Sequence, residues 1–75
     1  MDQTAQRFYL CIRNEGYAAS LRARTVYAGL TDRDAESHGM LRIVDESGED
    51  YLFPASLFVP IEVPEGAVKV FAGAA

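Results

Sequence analysis

The sequence predicts a small all-β domain of five short strands, a barrel or a sandwich. Three observations carry this reading. Apolar and polar residues alternate over short runs instead of recurring at helical spacing. Turn residues, among them Gly16, Gly39, Gly48 and Pro54, punctuate these runs at intervals of roughly 8–12 residues. The chain has 75 residues, which is one domain's worth. A domain near this size buries only about 60% of the surface its unfolded chain exposes, so it has room for a core and little else.

The first run is Arg7 to Arg13. Phe8, Leu10 and Ile12 share an apolar face, and Arg7, Tyr9, Cys11 and Arg13 share a mixed one, because successive side chains of a strand point to opposite sides. Asn14-Glu15-Gly16 follows as a turn or the start of a loop. In the second run, Leu21 to Leu30, Leu21, Thr25 and Tyr27 alternate with Val26, Ala28 and Leu30. The stretch Ala18 to Ala23 also suits a helix, but the cluster Thr25-Val26-Tyr27 favours a strand from about Arg24. Thr31 three residues before Asp34 reads as the N-cap of a brief polar turn that Gly39 stops. Met40 to Val44 is the third strand. Asp45 to Asp50 forms a tight hairpin in which Gly48 takes the positive φ the turn requires. Tyr51-Leu52-Phe53 returns, and Pro54 ends the ladder because it has no N–H to donate. A single 3₁₀ turn is expected over Pro54 to Phe58. Val59, Ile61 and Val63 then make a fifth strand that Pro60 confines to an edge. Val68 to Phe71 could pair as a sixth, although Gly73 and the terminal alanines suggest fraying. The expected organisation is a flexible stretch over 1–6, a barrel over 7–63 and a tail over 64–75.

A strand, a polar hairpin, a strand closed by proline, one turn and a last strand follow one another in the order that ends an SH3-like barrel. Leu52-Phe53-Pro54-Ala55-Ser56-Leu57-Phe58-Val59 resembles the proline, polar, aromatic, valine segment of SH3 domains with one residue extra. Taken with Val26-Tyr27, the stretch Leu41 to Pro54 also resembles a family of small bacterial proteins that carry an acidic DESGEDYL(Y/F)P hairpin and look SH3-like. The resemblance implies a five-stranded SH3-like barrel and a bacterial cytosolic protein, and it implies no activity.

Composition narrows the function classes. Hydrophobic content of 49% and charged content of 24% are globular values, not those of a disordered chain. No apolar run approaches the ~20 residues of a membrane helix. Met1-Asp2-Gln3-Thr4 lacks the basic and apolar regions of a secretory signal, and Cys11, the only cysteine, cannot form an internal disulfide. A reducing cytoplasmic compartment is therefore expected. The net charge of −4 is uneven: the balance is +2 through Thr31 and −6 from Asp32 onward. That acidic second half disfavours phosphate-backbone binding and suits a basic protein partner.

Few constellations carry chemistry. Cys11 and His38 are the only such residues of their kind and read as a small half-buried hydrophobe and a solvated turn residue. Asp45, Glu46, Glu49 and Asp50 are hard oxygen ligands, but an EF-hand register would put its glycine at Asp50, and hairpin flanks alternate faces. They read as a solvated polar tip, with no metal and no other cofactor expected. The glycines are too scattered for a phosphate-cradling loop, and G-x-S-x-G does not occur. No catalytic residues are assigned, and no enzyme is expected.

Aromatic residues are dense, and most of them should fill the core. Pro54 and Phe58 match the proline and tyrosine of the SH3 segment, where such residues line a peptide groove, but the groove tryptophan and the ALYDY-type start are missing. The expected function is a non-enzymatic protein-interaction module. Its candidate surface is Tyr51, Pro54, Phe58, Asp45, Glu46, Glu49 and Asp50. Its partner is a protein or peptide, with a second copy of the chain left open. The alternative is a nucleic-acid or ribosome accessory barrel of KOW type, using Arg7, Arg13, Arg22 and Arg24 as a basic stripe.

Overall fold

A computed structural model describes residues 7–67 of the chain. The expected flexible stretch 1–6, the sixth strand over 68–71 and the end of the tail lie outside them. In order, the elements are β1 (Arg7–Cys11), β2 (Thr25–Leu30), α1 (Arg33–Ser37), β3 (Met40–Val44), β4 (Asp50–Pro54), a 3₁₀ turn (Ala55–Leu57) and β5 (Phe58–Ile61). The five strands form one antiparallel sheet in the order β4-β3-β2-β1-β5. Among the described residues no ladder joins β4 to β5, so the sheet is open and both of these strands are edges. No helix of the described residues is long and apolar enough to cross a membrane.

The core lies on the mixed face of β1, not on its apolar one. Tyr9 and Cys11 are buried with Leu21, Tyr27, Ile43, Phe53, Leu57 and Phe58, whereas Ile12 is 46% exposed. The register explains the inversion. Tyr9 stands opposite Tyr27, and Cys11 stands opposite Phe58. Aromatics from four strands thus meet on one side, with Phe58 edge-on to both Tyr9 and Phe53. Each interlocking aromatic pair adds about 0.5–1.5 kcal/mol to the area it buries. The other face over β2, β1 and β5 carries Phe8, Leu10, Val26, Ala28, Val59 and Ile61, so half of the sheet is apolar on both sides. Cys11 is fully enclosed rather than half-buried. Its thiol donates to the Arg13 carbonyl at 3.1 Å, and burial pushes its pKa up.

The long connection between β1 and β2 closes the core. Leu21 is fully buried, and the Tyr17 ring meets Phe53 edge-on with centroids 5.5 Å apart. Backbone bonds from Tyr17 to Asn14 and from Leu21 to Tyr17, with the Asn14 amide donating to Leu21, hold the loop in shape. β2 begins at Thr25, one residue after the expected start, because Arg24 has φ 66°, in the left-handed region that a strand cannot contain. Within β2, Gly29 lies under the Tyr9 ring; a Cβ there would sit 2.6 Å from Tyr9 Cε2.

The remaining boundaries differ by one or two residues. β1 stops at Cys11, and the Ile12 N–H goes to the Leu57 carbonyl instead. The N-cap of α1 is Asp32 and not Thr31: its carboxylate accepts from Ala35 N at 2.9 Å, and Glu36 reaches back to Asp32 N. Gly39, with φ 78°, ends the turn as expected. β4 extends to Asp50 and Pro54 on either side of the predicted three residues. The one-turn 3₁₀ segment stands where it was expected, and β5 holds Pro60 at an edge but stops before Val63.

Candidate functional site

The β3–β4 hairpin gathers six of the seven predicted surface residues, all but Phe58. Gly48 N donates to the Asp45 carbonyl at 2.9 Å and Asp45 N to the Glu49 carbonyl at 3.0 Å, with Gly48 at φ 86°. This is a type I turn closed by a left-handed glycine, a three-residue hairpin loop with a bulge. The four acids then part company. The Asp45 carboxylate folds back to accept from the Ser47 N–H at 2.8 Å and the Ser47 hydroxyl at 2.5 Å, which leaves Asp45 only 7% exposed. Glu46 accepts from the Tyr27 hydroxyl at 2.5 Å. Glu49 accepts from the Tyr51 hydroxyl at 2.8 Å. Asp50 pairs with Arg42 at 3.0 Å, and the same guanidinium binds Asp32 at 2.8 Å. Four carboxylates with four different partners do not converge on a common point. Among the described residues no three His, Cys, Asp or Glu side chains group as metal ligands.

These contacts tune their groups. Burial, followed by the Glu46 carboxylate, pushes the Tyr27 phenol up to about 12. The Glu49 carboxylate raises Tyr51. The Ala35 N–H and the Arg42 guanidinium hold Asp32 below the usual carboxylate range. The Tyr27 hydroxyl also accepts from Arg22 N at 2.7 Å, and Glu46 N donates to the Ser20 carbonyl at 3.1 Å. The hairpin tip is thereby tied to the β1–β2 loop.

Of the predicted surface residues, Tyr51 is half exposed, Glu46, Glu49 and Asp50 are exposed, and Pro54 is half-buried. Two are corrected. Phe58 is 5% exposed and belongs to the core, because the strand register turns it toward Cys11 and Tyr9. Asp45 is buried by its own turn. The structure adds two residues to this surface, Leu52 at 41% exposure and Tyr17 at 36%. Leu52 was legible from the alternation Tyr51-Leu52-Phe53, since Phe53 must face the core. Nothing local in the sequence marks Tyr17, whose place depends on the fold of the long loop.

The outer edge of β4 follows from the hydrogen-bond parity. Asp45 N binds the Glu49 carbonyl and Ala55 N binds the Gly39 carbonyl. Between these two anchors the register pairs Ile43 with Tyr51 and Leu41 with Phe53. The hydrogen-bonded pairs of an antiparallel ladder alternate with unbonded ones. Tyr51 and Phe53 therefore turn their backbone groups toward β3, while Asp50, Leu52 and Pro54 turn theirs away from the sheet.

The other candidates separate. Cys11 is sealed in the core, whereas His38 is exposed at the end of α1 with Nδ1 2.8 Å from the Asp34 carbonyl, so they do not form a catalytic pair. Arg7 opens β1 and Arg13 lies two residues past its end, and Tyr9 between them faces the core. Arg22 lies by the acidic hairpin through the Tyr27–Glu46 contact. The four arginines thus do not make one stripe. A shallow groove of about 500 Å³ runs between β1 and β5, with Arg7 and Glu62 beside a floor of Phe8, Ile61 and Val63. Compared with family models, curated proteins and solved structures, the chain gives no match.

Proposed function

We propose that the chain is a non-enzymatic protein-interaction module on an SH3-like barrel of a bacterial cytosolic protein, and that it meets its partner along β4. The observation that carries this is an edge strand with two large exposed side chains, Tyr51 at 50% and Leu52 at 41%, and an outer backbone that no other described strand pairs. Sheet edges of this kind are where extended chains attach. The barrel reading is supported by the strand order, with β1 between β2 and β5, and by the single 3₁₀ turn before the last strand. Glu49, Asp50 and Tyr51 rim the edge and fit a basic partner.

A photo-cross-linking residue at position 51, used in extract of the protein's own cells, tests the reading. One discrete protein adduct is expected, competed away by unlabelled chain and missing when the label sits at Arg33 on α1. No adduct at position 51 overturns it. An RNA gel shift that weakens steeply as salt rises would assign the chain to nucleic acid instead, because phosphate contacts release counterions.

A further inference from the structure

We infer that β4 binds its partner by strand addition, and that the incoming segment is an extended stretch of another protein with Lys or Arg two residues from an apolar side chain. The inference rests on the interaction reading above and specifies its mode and its ligand. Three observations on β4 carry it. The outward backbone offers the N–H and C=O of Asp50, the N–H and C=O of Leu52, and the C=O of Pro54. The missing Pro54 N–H and the left-handed Gly48 bound this stretch at its two ends, so the docking site is short and its register is fixed. Leu52 points to the face opposite Phe53 and is 41% exposed, with Asp50 two residues before it on the same face.

An added strand places its own side chains directly opposite these two. Cross-strand pairs favour an apolar residue against Leu52 and a cation against Asp50. Residues two apart in the incoming strand lie on one face, which gives the pattern of apolar residue, any residue, Lys or Arg. Charge decides against a second copy as occupant. From Ile43 to Ala67 the chain has six acidic residues and no Lys or Arg. Arg42 is already shared between Asp32 and Asp50. Two such edges paired antiparallel would bring no cation to either Asp50, whereas a basic segment is drawn to the acidic hairpin.

The test uses the full chain and a blocked peptide, Lys-Thr-Val-Thr-Lys-Thr-Val-Thr, with a control in which Glu replaces both Lys. Titration followed by amide NMR is expected to show saturable shifts at Asp50 and Leu52, slowed exchange of both amide hydrogens, and at least tenfold weaker binding of the Glu peptide. Leu52→Pro removes the outward N–H without taking a bond from β3 and should weaken binding tenfold or more. Leu52→Lys keeps the backbone, opposes the cation and gives a second variant should proline perturb the fold; it should weaken binding as well. Shifts at Tyr51 and Glu49 side chains with Asp50 and Leu52 amides still exchanging freely overturn strand addition while leaving an interaction surface at β4. Equal binding of both peptides, or no shift at millimolar peptide, overturns it outright. Concentration-dependent dimers that Leu52→Pro dissolves would replace the peptide by a second copy. Failure of the cross-linking at position 51 bears on the interaction reading and is scored separately.

Discussion

Two tyrosines donate to glutamates of the same hairpin, and they do opposite things. Tyr27 gives its hydrogen to Glu46 from inside the core, 6% exposed, and accepts one from Arg22 N in return. Tyr51 gives its hydrogen to Glu49 from the rim, half exposed, and its hydroxyl has no second hydrogen bond among the described residues. The same pair of residue types locks the molecule in one place and decorates an open edge in the other. What differs is the backbone beneath them. Tyr27 lies on an inner strand bonded on both sides, and Tyr51 on a strand bonded on one. Desolvation turns the first pair into structure; exposure leaves the second available to a partner.

The contrast is tested most severely at Tyr27. Tyr27→Ala should cost about 3–5 kcal/mol, read by chemical denaturation, since it empties an aromatic site in the core. Gly29→Ala comes next, at about 1–3 kcal/mol, because the new methyl meets the Tyr9 ring and the Arg42 carbonyl from β3. Tyr27→Phe keeps the packing and removes the relay, at about 1–3 kcal/mol for the unpaired partners. Titration sharpens this one. The folded phenol ionises near 12 and a free one near 10, so the neutral form is the one the fold holds. Its contribution should be complete below pH 10 and disappear as pH rises from 10 to 12. Denaturation midpoints of the wild type and Tyr27→Phe should therefore converge across that window. Tyr51→Phe is the smallest: no change in melting temperature is expected, and equal destabilisation at the two tyrosines would abolish the distinction.

The sequence reveals the strands far better than their faces. Met40–Val44 and the glycine-closed hairpin follow from alternation and one turn dipeptide, both local properties. The inward face of β1 does not. Phe8, Leu10 and Ile12 form the more apolar side, but Tyr9 and Cys11 face the centre because Tyr27 and Phe58 stand opposite them, and register is a relation between distant segments. The same limit applied to Phe58, which looks like a groove residue in a linear motif and is a core residue in space. The acidic hairpin showed its charge in the sequence but not its dispersal, since each acid is claimed by a partner that only folding brings near. Asp50, Tyr51 and Leu52 reached the edge through the position of β4 in the strand order, and no pattern within β4 states that order.

Cys11 gives the protein a clock. It is the single sulfhydryl of the chain, it is wholly enclosed, and it lies among residues from all five strands, the 3₁₀ turn and the long loop. A thiol reagent reaches it only when the packing around it opens. The labelling rate at low reagent concentration therefore counts excursions in which the packed centre itself comes apart. Measured against the rate for the denatured chain, it reports the free energy of those excursions without any denaturant.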